Sequence, residues 1–238
     1  MSRSAKHRKR VAILISGRGS NMNALIAAAM DPAYPGQIVA AISNRPQAPG
    51  LATAERYAVT AVAVDQRDFT DRLDHEQALV QELDRFAPDI VCLAGYMRLL
   101  SESFVRRYRG RLINIHPSLL PLFPGLDTHE RVLAAGMRVH GCTVHFVTER
   151  MDEGPIIAQA AIGIETGDTA ESLAERLLRA EHRLYPHALK MVLDGDVRLS
   201  GDRAIFRQGP EGTNQQNAAT LPLPDGGKML ISPDPRRD

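Results

Sequence analysis

The stretch Ile113-Asn114-Ile115-His116-Pro117-Ser118-Leu119-Leu120-Pro121 decides how this chain folds. Residues 112–115 read as a short apolar strand, and alternation along a strand puts positions two apart on one face. Asn114 and His116 therefore project together, one an amide donor and the other a ring that exchanges protons near neutral pH. Pro117 has no N–H to give a sheet ladder, so the strand stops there and a loop begins. Open α/β sheets bind their ligands where strands stop in this way. A polar pair alone is equally compatible with capping or turn chemistry. A glycine-rich loop near the start of the chain and the acidic turn Asp152-Glu153-Gly154-Pro155 make it a candidate site.

Upstream of this stretch, apolar strands at residues 11–15, 38–43, 61–64 and 90–94 alternate with helical patterns at 20–29, 49–56, 71–86 and 101–108. Ser20 and Asn21 are N-cap types for the first helix. Leu79, Val80, Leu83 and Phe86 share one face of the third, and Ala87-Pro88-Asp89 stops it. Such alternation predicts a mostly parallel sheet with right-handed crossovers. Downstream of residue 137 the pattern changes. Residues 139–148 alternate for a whole strand, residues 155–164 form a second extended run, and the link between them ends in Gly-Pro, which predicts an antiparallel hairpin with a long connecting loop. Residues 169–193 read as a long helix. The expected fold is α/β: a Rossmann-like open sheet, parallel in its N-terminal half, with an antiparallel hairpin in its C-terminal half and helices on both faces. Residues 1–10 read as a basic tail and 11–207 as a single domain. Residues 208–238, rich in Gly, Pro, Asn, Gln and Asp, read as a mobile tail.

Composition narrows the function. A 44% hydrophobic content can fill a core in 238 residues. A net charge of +1 lacks the field of a general nucleic-acid binder, so the expected partner is a small molecule. The two cysteines, Cys92 and Cys142, form no CxxC pair, and Cys92 lies in an apolar run, which suits a reducing compartment. No apolar run reaches the length of a membrane span. The basic start (Arg3, Lys6, Arg8, Lys9, Arg10) is followed by too few apolar residues for a signal peptide. The chain is therefore expected to be cytoplasmic, with no membrane partner.

Five segments could carry chemistry. Ser16-Gly17-Arg18-Gly19-Ser20-Asn21 lies between a strand and a helix, where free N–H groups suit a phosphate; a tight turn with a cap is the plainer reading. It is no dinucleotide fingerprint, because Met22 stands where the third glycine would be, and no Gly-Lys-Ser/Thr follows. Gly95-Tyr96-Met97-Arg98-Leu99-Leu100 either lines the pocket of a flat ligand or packs into the next helix. Asn114 and His116 are the third. Asp152 is the fourth: a carboxylate near an imidazole favours the charged ring and orients it, whereas a solvated turn residue does neither. Glu181 falls on the apolar stripe Ala174, Leu177, Leu184, Ala188 and Val192, where a carboxylate needs a partner or a ligand. There is no HExxH or GxSxG, and His129, His140 and His145 lack zinc-site spacing with cysteines.

Over residues 11–205 these motifs, in this order, closely resemble the glycinamide ribonucleotide formyltransferase family, the folate-dependent enzymes of purine synthesis. The likeness rests on Ser16 to Asn21, Leu93-Ala94-Gly95-Tyr96-Met97-Arg98, Asn114 to Pro121, Pro124-Gly125-Leu126-Asp127-Thr128-His129, Val144-His145-Phe146-Val147, Met151-Asp152-Glu153-Gly154-Pro155 and Ala180-Glu181-His182. The Asn-x-His and Ser-Leu-Leu-Pro element would also fit methionyl-tRNA formyltransferase and formyltetrahydrofolate deformylase. Those carry a further domain for which no room is expected here, and Phe123-Pro124-Gly125 favours the glycinamide family. Arg18 departs from the uncharged residue common there.

The resemblance implies formyl transfer from 10-formyltetrahydrofolate to the amine of glycinamide ribonucleotide, in de novo purine (IMP) synthesis. It implies catalytic roles for Asn114, His116 and Asp152. Gly19, Ser20 and Asn21 would hold the ribonucleotide phosphate, with Leu178, Arg179, Ala180 and Glu181 on the rest of the ribonucleotide. Arg72, Met97, Arg98, Leu99, Leu100 and Asn114, with Thr148, Glu149, Arg150, Met151 and Asp152, would hold the folate. It implies no metal, no nicotinamide and no nucleic-acid partner, in a monomer or homodimer. A non-catalytic folate- or nucleotide-binding module is the contrasting reading, and an assay for deformylated folate separates the two.

Overall fold

A computed structural model gives the structure of residues 8–207, 218–223 and 226–235. Where the sequence suggests one domain over residues 11–207, the chain divides into two compact units, 1–113 and 114–238.

The first unit runs β1 (Lys9–Ile15), α1 (Ser20–Ala29), β2 (Gly36–Ser43), α2 (Pro49–Arg56), β3 (Thr60–Ala63), α3 (Arg72–Phe86), β4 (Ile90–Leu93) and α4 (Glu102–Arg107). The strands lie in the order β4-β1-β2-β3, and every pair is parallel. β1 has a strand on each side, and its residues 11–15 are fully buried, which is why it reads as an unbroken apolar run. All four strands end along one edge. The loops at residues 16–19, 44–48, 64–71 and 94–101 leave from that edge, so the glycine-rich loop and the 97–100 segment share it. The supposed basic tail is in part structural. Lys9 and Arg10 belong to β1, Arg10 donates from its backbone to Asp89 and from its guanidinium to the Phe86 carbonyl, and Arg8 donates to the carbonyls of Ala29 and Gly36. Residues 1–7 lie outside the described residues.

The boundary between the units falls inside β5 (Leu112–His116), and the second unit continues with α5 (Thr128–Ala134), β6 (Val139–Phe146), β7 (Ile156–Gly163), α6 (Ala170–Asp194), β8 (Val197–Ser200), β9 (Arg203–Phe206), β10 (Ala219–Pro222) and β11 (Lys228–Ser232). The strand order is β10-β11-β7-β6-β5, and β6–β7, β7–β11 and β10–β11 are antiparallel. β8 and β9 pair as a separate ribbon. A Thr169/Ser172 capping box starts α6, and Gly195 in the left-handed region closes it. Leu173, Leu177, Ala180, Glu181, Leu184 and Ala188 form its buried stripe. The sequence pattern missed α5, whose seven residues are too few to show a helical period.

The reading of residues 208–238 as a mobile tail is corrected. Residues 208–217, 224–225 and 236–238 lie outside the described residues, but 219–222 and 228–232 are strands that extend the sheet past β7. Ala219, Leu223, Met229 and Ile231 are buried, and the Arg183 guanidinium donates to the Pro222 carbonyl. The pattern in β11 is alternate burial over only five residues, too short to stand out in a polar segment. Its pairing answers a need of β7, whose sequence Ile-Ile-Ala-Gln-Ala-Ala-Ile-Gly carries no charge and no proline to guard an exposed edge. Deleting residues 218–238 should therefore lower Tm by roughly 5 °C or more, because apolar side chains worth about 1.5–3 kcal/mol each lose their burial. Differential scanning calorimetry, with light scattering to detect self-association, checks this; an unchanged Tm would return the segment to a tail.

Candidate active site

β5 ends at His116, and the chain beyond it is tied down by β6 and β7. The buried Thr143 hydroxyl donates to the Ser118 carbonyl (2.7 Å) and accepts from the Leu120 N–H (3.0 Å). Gln159 donates to the Leu120 carbonyl (2.9 Å) and to the Thr143 oxygen (3.0 Å). Ser118 Oγ donates to the Leu122 carbonyl at 2.6 Å. With the loop so fixed, the Phe123 carbonyl lies 3.0 Å from His116 Nε2. A carbonyl can only accept, so Nε2 carries a hydrogen.

The other ring nitrogen of His116, Nδ1, faces Asp152 Oδ2 at 3.5 Å. That same carboxylate oxygen accepts the Gly125 N–H at 2.8 Å, and Oδ1 lies 3.9 Å from His145 Nε2. The Asp152 side chain is only 11% exposed. It has φ +56°, and Phe123 and Asp127 are also left-handed. Aspartate tolerates that conformation; phenylalanine does not, and its strain is held by the surrounding hydrogen bonds. The structure thus brings His116 and Asp152 together, an approach that the sequence alone left open.

Asn114 meets a residue to which the sequence reading gave no role in the site. Its Nδ2 lies 3.3 Å from His145 Nε2, and His145 Nδ1 lies 3.0 Å from the Phe146 carbonyl. The carbonyl fixes the hydrogen on Nδ1, so Nε2 holds a lone pair that accepts from Asn114. Burial pushes the His145 pKa down and keeps the ring neutral, which preserves this arrangement. The register of β6 against β7 slips between Val144 and His145, where Ile157 of β7 is the extra residue, so the alternation of β6 itself is kept. One signal was available: His145 lies two residues from Thr143 on one strand, so both face the same way.

The remaining predicted residues of this unit divide by exposure. Glu181 and Ala180 are buried on α6, while Leu178 and Arg179 are half-buried. Residues 147 and 148, read as strand, belong to the loop after β6. Thr148 is half-buried there, whereas Glu149, Arg150 and Met151 are exposed. Gly154 closes that loop against β6: a Cβ there would meet the Phe146 oxygen at 1.7 Å.

In the first unit the helix cap differs from the expectation. Gly19, at φ +68°, is the N-cap of α1, without a side-chain hydrogen bond, and Ser20 is the first helical residue. No acidic residue occupies the first turn of this helix. The cap residue itself, a glycine, offers no side-chain acceptor to the first N–H groups of the helix. The loop is pressed onto α2, since a Cβ on Gly50 would meet Ile15 Cδ1 at 2.5 Å and the Gly17 oxygen at 2.9 Å. Arg18 is exposed. Of the 97–100 segment, Met97 and Leu99 are 60% and 62% exposed, and Arg98 and Leu100 are half-buried. Arg72 begins α3, 3.9 Å from Glu76. Glu76 is buried, and its carboxylate accepts both the N–H and the hydroxyl of Ser101 at the cap of α4. Among the described residues no group of three or more His, Cys, Asp and Glu side chains is arranged to hold a metal ion, and no helix is long and apolar enough to cross a membrane.

Residues 9–189 match the family model described as formyl transferase. The chain belongs to the formyl transferase family. Among curated relatives, phosphoribosylglycinamide formyltransferase of Escherichia coli (strain K12) is 40% identical over 194 residues, covering 82% of this chain and 92% of that protein. The trifunctional purine biosynthetic protein adenosine-3 of Bos taurus is 47% identical over 196 residues, and the match spans 82% of this chain but only 19% of that longer protein. Among solved structures, the phosphoribosylglycinamide formyltransferase of Brucella melitensis is 57% identical with a TM-score of 0.76, covering 79% of this chain and 96% of that one.

The buried imidazoles and the tight glycine each have a measurable consequence. His129 Nδ1 and His140 Nε2 are 3.1 Å apart, so the facing nitrogens cannot both carry a hydrogen. Burial, aided by the neighbouring imidazoles, lowers the His140 pKa from 6.5 to about 4; burial also lowers those of His129 and His145. The unfolded chain then binds more protons than the folded one between about pH 6.5 and 4, so stability should fall as pH drops through that window. Tm should be lower at pH 5 than at pH 7.5, and His140→Asn should flatten the difference. Gly154→Ala should displace the Phe146 carbonyl that fixes the His145 tautomer, costing both Tm and turnover; a fully active variant with unchanged Tm would contradict the packing.

Proposed function

We propose that this chain transfers the formyl group of 10-formyltetrahydrofolate to the amine of glycinamide ribonucleotide, giving formylglycinamide ribonucleotide and tetrahydrofolate. The observation that carries the reading is His116, set between the Phe123 carbonyl and the Asp152 carboxylate on the strand that also presents Asn114. The family, and relatives named for this reaction, support it.

The neutral amine attacks the formyl carbon. A C–N bond forms, and the carbonyl oxygen becomes an oxyanion. Asn114 has a second amide hydrogen beyond the one aimed at His145, and it donates to that oxygen. The Nε2 hydrogen of His116 now rests on a neutral carbonyl; an oxyanion competes for it strongly, because charge-assisted hydrogen bonds are roughly twice as strong. The Asp152 carboxylate takes the proton that leaves the attacking nitrogen and returns it to the departing folate nitrogen. The carbon–nitrogen bond to the folate then breaks. No electrons are exchanged, so nicotinamide has no role, and N–H donors carry the oxyanion without a metal.

Gly19, Ser20 and Asn21 are assigned to the ribonucleotide phosphate, with Leu178, Arg179, Ala180 and Glu181 on its sugar side. Arg72, Met97, Arg98, Leu99 and Leu100, together with Thr148, Glu149, Arg150, Met151 and Asp152, are assigned to the folate. The partners are small molecules rather than nucleic acid or membrane, and the enzyme acts in the cytoplasm as a monomer or homodimer.

The direct test is to incubate the protein with both substrates and follow deformylated folate. Asp152→Asn keeps an oxygen for the Gly125 N–H but removes the charge facing His116. It should lower kcat by roughly 10²-fold or more, with both KM values changing far less. A variant with wild-type kcat would place Asp152 outside the reaction.

A further inference from the structure

Ser16 and Asn44 lie on separate loops and Gln66 opens a short 3₁₀ turn (Gln66–Asp68), all at the strand-end edge of the first unit, and none of them is assigned to a substrate. Their side chains form one continuous hydrogen-bonded path. The Ser16 hydroxyl, on a residue 3% exposed, donates to Asn44 Oδ1 at 2.5 Å and accepts the Met97 N–H at 2.7 Å. Asn44, 1% exposed, donates from Nδ2 to Gln66 Oε1 at 2.7 Å. The same Gln66 oxygen accepts from Arg98 Nη1 at 3.0 Å. Backbone bonds reinforce the path: Ser16 N–H to the Gly95 carbonyl (3.1 Å) and Gln66 N–H to the Asn44 carbonyl (3.1 Å).

The path begins at the backbone of residue 97 and returns at the guanidinium of residue 98. Chemistry fixes its direction at every link. A guanidinium only donates, so Gln66 must turn its oxygen to Arg98. The oxygen that faces Arg98 also faces Asn44, so Asn44 must present its NH₂ there. Its own oxygen is then left for the Ser16 hydroxyl, whose lone pair is left for the Met97 N–H. One assignment satisfies every group. Asn44 is the pivot, because it is the only member that must donate on one side and accept on the other through two different atoms.

We infer that Asn44 is a positioning residue for the folate substrate: through Gln66 and Ser16 it holds the Arg98 guanidinium and the Met97 backbone in their binding arrangement while presenting almost no surface of its own. The inference rests on the assignment of residues 97–100 to the folate in the proposed function.

Asn44→Asp is nearly isosteric and keeps the acceptor for Ser16. It puts a second oxygen opposite Gln66, and the glutamine amide must then rotate. The rotated NH₂ suits the new carboxylate but meets the Arg98 donor, so Arg98 is released. The expected result is a rise of about tenfold in KM for 10-formyltetrahydrofolate, the scale of one lost hydrogen bond to a charged group. kcat and the ribonucleotide KM should stay within about twofold. Gln66→Leu should reproduce the effect and stands in if Asn44→Asp does not fold. Gln66→Glu keeps an oxygen for both donors and should stay near wild type. Combining Asn44→Asp with Arg98→Ala should add little to the worse single variant, because both remove the same contact. Equal rises in both KM values, or additive effects in the double variant, would mean a general loop staple and overturn the inference. So would unchanged folate KM in folded Asn44→Asp and Gln66→Leu. A wild-type protein that fails to turn over formyl-folate at all would instead defeat the proposed function, and this inference with it.

Discussion

The Thr143 hydroxyl is the fixed point of the second unit. It is fully buried in β6, and it donates to one carbonyl of the loop after β5 while accepting an N–H from the same loop two residues on. Pro117 has taken the chain off the sheet ladder, so the backbone groups beyond it need partners or suffer the cost of burial without them. Thr143 and Gln159 supply those partners. Two groups that bear on the candidate chemistry lie downstream of that stitch: the Phe123 carbonyl that takes the His116 hydrogen, and the Gly125 N–H that anchors Asp152.

Two imidazoles then face one carboxylate in opposite ways. His116 turns a nitrogen to Asp152 at 3.5 Å, and its other nitrogen is already committed as a donor. His145 is held neutral by burial, with its hydrogen pinned on the far nitrogen by the Phe146 carbonyl. The difference comes from backbone carbonyls a few residues away rather than from the rings themselves. A neutral His145 is an acceptor, which makes it the orienting partner of the Asn114 amide. Were it charged, it would repel the amide N–H that it now receives.

Much of the first unit was legible because its strands carry unbroken apolar runs at 11–15, 38–42 and 90–93 and the long helix α3 has a one-sided stripe. Residues 11–15 could hardly be anything but a buried strand. The pair Asn114 and His116 was legible for a different reason: period-two geometry and a proline fix both their direction and the end of their strand. What escaped was set by tertiary partners. Gly19 replaces Ser20 as the cap of α1, because the loop must turn left-handed against Gly50. The role of His145 depends on which ring nitrogen the Phe146 carbonyl claims, and strand alternation alone does not tell that. The short α5 and the strands β10 and β11 carry too few residues for a period to emerge. Asn44 and Gln66 looked like loop residues with no assignment, since the meaning of an amide lies in which atom faces which neighbour.

β7 pairs with β11, and β11 lies more than sixty residues further along the chain. A polypeptide leaves the ribosome from its N-terminus, so β7 and β6 emerge well before the strand that covers β7. During that interval an uncharged strand without proline shows a bare row of N–H and C=O groups to its surroundings. The growing chain is therefore prone to clumping while residues 164–228 are being made, and chaperone demand should rise there, after Asn114, His116 and Asp152 have already been made.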